Sequence, residues 1–136
     1  MVMEGEGDPK KILGREDVAR FAREFLFLHE KDREHFVVLL LNTKNEIMAH
    51  EIVTMGILDS SLVHPREVFK PAIAGSAASI IVIHNHPAGN PEPSPEDMAV
   101  TMRLCQAGYL LGIPLRDHII VGGNNYFSFK EGGIIS

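Results

Sequence analysis

Residues 84–97 read His84-Asn85-His86-Pro87-Ala88-Gly89-Asn90-Pro91-Glu92-Pro93-Ser94-Pro95-Glu96-Asp97. Just upstream, Ser79 to Ile83 is a short β-branched apolar run of the kind that forms a buried strand. Downstream, Ser94 fits a helix N-cap, Pro95 the first helical position and Asp97 the third, close to a capping box. The Pro- and Gly-rich stretch between them suits neither strand nor helix. The segment therefore predicts a strand, an irregular loop and a helix, with polar groups gathered at the strand end and the helix start. Side chains two apart on a strand share a face, so the imidazoles of His84 and His86 can converge. Asp97 in a first helical turn meets the helix dipole favourably, and the same helix start can deliver its carboxylate to the imidazoles.

Two neutral histidines, one carboxylate and an open position for water suit a divalent metal, Zn²⁺ above all, at a site that does chemistry; a closed site would be structural. The same donor set occurs in non-haem Fe(II) oxygenases, but nothing in this chain marks a pocket for an oxidisable co-substrate. With seven histidines in 136 residues, one chance His-x-His has odds of roughly one in three. The join of strand end, loop and helix start carries the inference, and the pair alone does not.

Outward from this segment, Arg15 to Glu30 reads as an amphipathic helix with Val18, Phe21, Ala22, Phe25 and Leu28 on one face. Phe36 to Leu41 is a continuous apolar run suited to a buried strand, Asn42-Thr43-Lys44-Asn45 a turn, and Glu46 to Met55 a returning strand. Pro65 opens a short helix to about Ile73, since proline is tolerated in a first turn. In the helix begun at Ser94, Met98, Met102, Cys105 and Tyr109 recur at helical spacing, and Gly112 suits its C-terminal stop. Leu115 to Val121 and Tyr126 to Lys130 read as strands around a Gly122-Gly123-Asn124-Asn125 turn. Helices mixed with hairpins predict an α/β protein with a mixed β-sheet flanked by helices.

The chain is 45% apolar and 23% charged, the profile of one globular domain over residues 12–136, with residues 1–11 as a flexible end. A net charge of −5 argues against nucleic-acid binding driven by bulk charge. No apolar run approaches the length of a membrane span. The single cysteine, Cys105, allows no disulfide within the chain, is expected to pack in the interior, and fits a reducing cytoplasm.

A metal-dependent hydrolase also needs a base that does not bind the metal. Glu34, just before the strand at Phe36, and Glu51, within the returning strand, are the two candidates, and the physical reading leaves both open. Together, Glu34, His84, His86, Ser94 and Asp97 resemble the JAMM (JAB/MPN) metalloprotease motif: an upstream Glu, then His-x-His, ten residues and Asp, with Ser three before the Asp. The match is closer to the RadC family of bacterial proteins, to which Pro65-Arg66-Glu67-Val68, the central signature at 84–97 and Asp117-His118-Ile119-Ile120 are all similar. The resemblance covers about residues 12 to 131. There are two departures. Many family members carry an N-terminal helix-hairpin-helix region, associated with DNA binding, which is lacking here as in a fragment or a short member. Family signatures also commonly have Ser where this chain has Ala88.

The resemblance implies a JAB/MPN, cytidine-deaminase-like architecture and one Zn²⁺ per chain on His84, His86 and Asp97. It implies Glu34 as general base, with Glu51 in reserve, and Ser94 as hydrogen-bond donor to the oxyanion. His118 is expected to support the site rather than to ligate. The implied activity is that of a zinc metallopeptidase or isopeptidase acting on a peptide or protein. Two alternatives stand beside it. One is a non-catalytic MPN-type interaction module. The other is the DNA-repair role that the family's traditional name suggests, to which an acidic chain without a basic run lends no support.

Overall fold

A computed structural model of the chain describes residues 11–12, 14–56 and 63–136. Its five strands are β1 (His35–Leu41), β2 (Ile47–Met55), β3 (Ser79–Asn85), β4 (Leu115–Gly122) and β5 (Asn125–Ser128). They form one sheet in the order β2-β1-β3-β4-β5. The β1/β2, β1/β3 and β4/β5 pairs are antiparallel, and β3/β4 is parallel. The sheet is therefore mixed, as predicted. Parallel neighbours require a crossover, and here α3 (Pro95–Leu111) supplies it between β3 and β4.

Side-chain alternation along the central strands divides the interior into two cores. Phe36, Val38 and Leu40 of β1 and Ile80 and Val82 of β3 pack with Val68, Phe69 and Ala72 of α2 (Pro65–Ala74) and Val100 and Leu104 of α3. Val37, Leu39, Leu41, Ile81 and Ile83 point the other way, onto Val18, Phe21 and Ala22 of α1 (Arg15–Glu24). Helices thus cover both faces, which is why β1 and β3 lack the alternating polar residues of a half-exposed sheet. Among the described residues, no helix is long and apolar enough to cross a membrane.

Four local expectations need correction. The first helix ends at Glu24, not Glu30; the backbone turns at Phe27, whose φ is +53°, and a short 3₁₀ segment, Leu28–Glu30, follows. The turn buries Leu28 and leaves Phe25 and Phe27 outside. β3 runs two residues further than Ile83, to Asn85, so His84 lies within the strand. β5 stops at Ser128 rather than Lys130.

The fourth concerns α3. Its buried face is Asp97, Val100, Thr101, Leu104 and Gly108, whereas Met102 is 50% and Tyr109 85% exposed. One helical residue is a rotation of about 100°, so a stripe that starts at Asp97 turns the stripe starting at Met98 outward. Cys105 falls between the two and is half-buried, and that burial raises its thiol pKa. Residues 1–10 of the expected flexible end lie outside the described residues; Lys11 pairs with Glu46 in an antiparallel bridge.

Candidate metal centre

The site forms at one edge of the sheet, where β3 ends, β1 begins and α3 starts. His84 is buried on the α2/α3 side of β3. His86 lies just past the strand, and its N–H donates to the Val121 carbonyl at 2.8 Å, so the ladder with β4 continues to it. The chain then turns, with Gly89 N–H donating to the His86 carbonyl at 2.9 Å and Gly89 at φ +98°. This loop lies directly on the end of β4. A Cβ at Gly122 would stand 2.9 Å from Pro91 N and 3.0 Å from Gly89 O, so only glycine admits the loop there.

The capping box sets the carboxylate. Asp97 N–H donates to Ser94 Oγ at 3.1 Å, and Ser94 N–H donates to Asp97 Oδ2 at 2.7 Å. The same carboxylate meets both imidazoles. His84 Nε2 is 3.1 Å from Oδ1, His86 Nε2 is 3.2 Å from Oδ2, and the two Nε2 atoms are 3.0 Å apart. Donors about 2.0–2.1 Å from a tetrahedral metal lie about 3.3 Å from one another. Each of the three separations, one to each Asp97 oxygen and one between the imidazoles, is close to that edge length. The residues present therefore fit a metal bound by His84, His86 and Asp97.

Proton positions lead to the same conclusion. Thr101 Oγ1 is 2.7 Å from the Asp97 carbonyl, which can only accept, so the hydroxyl proton lies there. Thr101 Oγ1 must then accept from His118 Nδ1, 2.6 Å away. His118 is fully buried, and burial followed by the nearby His84 pushes its pKa well below the ordinary value, so it is neutral. With its proton on Nδ1, His118 offers the Nε2 lone pair to His84 Nδ1–H at 2.9 Å. His86 Nδ1 in turn donates to the Asn90 carbonyl at 2.8 Å. Nδ1 of both site histidines is thereby committed as a donor, which turns each Nε2 toward the other and toward the Asp97 carboxylate. Three acceptors at this spacing need a cation between them, either a proton or a metal.

The pKa directions describe the proton-filled state. The Asp97 carboxylate, by its hydrogen bond, raises His86 above 6.5 against the opposing effect of burial. Burial pushes the Asp97 carboxyl up, but hydrogen bonds from His84 and His86 outweigh it and hold Asp97 well below the usual carboxylate range. Aromatic rings wall off the inner side. Phe129 stacks on His118 at 4.4 Å between ring centroids, and Phe36 stacks on His84 at 5.9 Å.

The RadC family profile, described as a RadC-like JAB domain, matches residues 12–134. The chain belongs to the RadC family. A UPF0758 protein of Desulforamulus reducens is 53% identical over 120 residues, covering 88% of this chain and 52% of that protein. One from Rubrobacter xylanophilus is 60% identical over 104 residues, covering 76% and 45%. One from Methanosarcina acetivorans is 46% identical over 130 residues, covering 96% and 56%. This RadC domain spans about half the length of the curated relatives it matches.

Of the residues singled out from sequence, the RadC domain brings Glu34, His84 and His86 together, with one donor atom from each within 4.8 Å of the others. Glu34 is half-buried just before β1. Glu51 is not part of this group; it is exposed on β2, in a groove with Glu67 and Lys70. His118 touches His84 and reaches the site only through it. Three residues that contribute to the geometry were not singled out: Thr101, Phe129 and Asn85. Thr101, four after Asp97 and so on the same helix face, is the one with a signal in the sequence.

Proposed function

We propose that this domain is a metal-dependent hydrolase of amide bonds, a peptidase or isopeptidase that uses zinc, with a peptide or protein as substrate. The observation that carries the proposal is the convergence of His84 Nε2, His86 Nε2 and the two Asp97 carboxylate oxygens, at 3.0–3.2 Å. Glu34 stands near them at a looser spacing. His84, His86 and Asp97 would hold the metal, which when bound would supply an acidified water and a Lewis acid for a carbonyl oxygen.

The chain's own groups then divide the remaining work. Glu34 accepts the proton that water loses on attack and passes it to the amine nitrogen as the C–N bond breaks. Ser94 Oγ accepts from Asp97 N–H, so its hydroxyl proton stays free to donate to the carbonyl oxygen as charge builds there. His118 and Thr101 keep the His84 proton on Nδ1, and the Asn90 carbonyl does the same for His86.

Metal analysis of the purified protein should find about one zinc per chain, lost on joint replacement His84→Ala and His86→Ala. Retention of zinc by that double variant would refute the ligand set. Glu34→Gln should keep the metal and abolish cleavage of peptide and isopeptide substrates that the parent cleaves. Unchanged turnover in Glu34→Gln would exclude Glu34 as the base.

A further inference from the structure

Asn85 sits between the two histidines and points to the opposite face of the strand. It is 1% exposed, and both ends of its carboxamide are used. Oδ1 accepts from His35 N–H at 2.7 Å, and Nδ2 donates to the Arg33 carbonyl at 3.0 Å. Those two backbone groups flank Glu34. In the β1/β3 register, Phe36 pairs with His84, so His35 falls opposite Asn85 where the ladder ends. The carboxamide places an N–H donor and a C=O acceptor in one plane, as a peptide group does. It therefore extends the sheet by one rung made of a side chain. On the other edge, Gly56 N–H donates to the Glu34 carbonyl at 2.8 Å, so the backbone around Glu34 is tied from both sides.

We propose that Asn85 is a positioning residue for Glu34: its side chain fixes the backbone of residues 33–35 and so aims the Glu34 carboxylate at the site. The role of Glu34 in that statement rests on the hydrolase reading above. The inference explains why the residue between the histidines is an asparagine. Serine or alanine reaches neither backbone group, and aspartate would oppose the Arg33 carbonyl with a second acceptor. One residue triplet thus serves both halves of the chemistry, with His84 and His86 facing the metal and Asn85 holding the base.

The test combines a structural and a spectroscopic readout. In Asn85→Ala, hydrogen exchange of the His35 amide should accelerate at least about tenfold, the loss of roughly one hydrogen bond, while Phe36 and His84 amides stay protected. The protein loaded with Co²⁺ alone should still bind one equivalent. Its visible spectrum should shift in Asn85→Ala as it does in Glu34→Gln, with no further change in the double variant. Turnover should fall on the order of 10²-fold in kcat at near-constant KM, the usual effect of a misplaced catalytic group. Asn85→Thr suits a strand but lacks the carboxamide; it should behave alike and replaces Asn85→Ala if that variant folds poorly. Unchanged His35 exchange, additive spectral effects or loss of the metal in the Asn85 variants would overturn the proposal. Failure of the parent itself to bind Co²⁺ would overturn the hydrolase reading, and the His35 exchange would still decide whether the clamp exists.

Discussion

Thr101→Val isolates the proton relay behind the metal centre. Valine keeps the shape of threonine and removes only the hydroxyl, which in the parent donates to the Asp97 carbonyl at 2.7 Å and accepts from His118 Nδ1 at 2.6 Å. Thr101 and His118 are both fully buried, so no solvent replaces it. His118 then has two choices. If it keeps its proton on Nδ1, a donor is left unpaired in the interior at a cost of about 1–3 kcal/mol. If the proton moves to Nε2, it confronts the His84 Nδ1 proton across 2.9 Å. His84 must then carry its own proton on Nε2, the atom proposed to bind the metal. The unpaired donor costs stability with or without metal, whereas relief of it by the tautomer shift must be undone for metal to bind and so weakens binding, 1.4 kcal/mol corresponding to a factor of ten. We therefore expect zinc affinity to drop about 10- to 100-fold, measured by competition with a chromophoric chelator. Nitrogen-15 NMR of the metal-free protein should show a changed His84 tautomer population. Thr101→Ser, which keeps the hydroxyl, should retain parent affinity. Parent-like affinity and an unchanged His84 tautomer in Thr101→Val would refute the relay.

Zinc affinity should decline with falling pH from above pH 6.5, because Asp97 raises the His86 pKa beyond that value and protons compete for Nε2; titrations with a pH-insensitive chelator would show it, and a flat profile between pH 5.5 and about 7.5 would refute it. In the metal-free protein, the His86 contribution to stability is complete below 6.5 and lost as pH rises through its raised value. The Asp97 contribution is complete above its ordinary 3.8 and lost as pH falls through its lowered value, so urea denaturation should find metal-free stability highest between those limits. Gly122→Ala forces a Cβ to within 3.0 Å of backbone in the 89–91 loop; it should cost about 1–3 kcal/mol in thermal unfolding and weaken metal binding. Asp117→Ala removes the acceptor for Ser128 Oγ, His118 N–H and Lys130 N–H, and should destabilise by at least about 2 kcal/mol, read by chemical denaturation.

How much of this was legible in the sequence depends on how local the causes are. The strand, loop and helix of residues 79–111 could be read because proline, glycine and the Ser94–Asp97 box act within a few residues of themselves. The end of α1 could not, because Phe27 adopts a left-handed φ only so that Leu28 can enter a core assembled from distant strands. The buried face of α3 was missed for a related reason. Its methionines and tyrosine keep a helical spacing as regular as that of the buried stripe, and only the anchoring of Asp97 at the site decides which stripe turns inward. Asn85 was silent because its partners lie 50 and 52 residues away.

The choice between Glu34 and Glu51 shows where pattern reasoning stops. Parity along the strands does not separate them: Glu34 shares a face with Phe36 by alternation, and Glu51 pairs across β1/β2 with Val38, which packs in the same core as Phe36. The rung separates them. His84 pairs with Phe36, so the imidazoles lie level with the first residues of β1, and Glu34 extends past that level at the open edge. Glu51 sits two residues further down the sheet, a drop of about 6.8 Å, and one strand further out. A carboxylate there reaches the α2 groove instead. Which glutamate lies beside His84 and His86 is therefore decided by the register of β1 against β3, a long-range quantity that neither residue's neighbours encode. Shifting that pairing by one residue would carry Glu34 to the opposite face and disconnect it from His84 and His86.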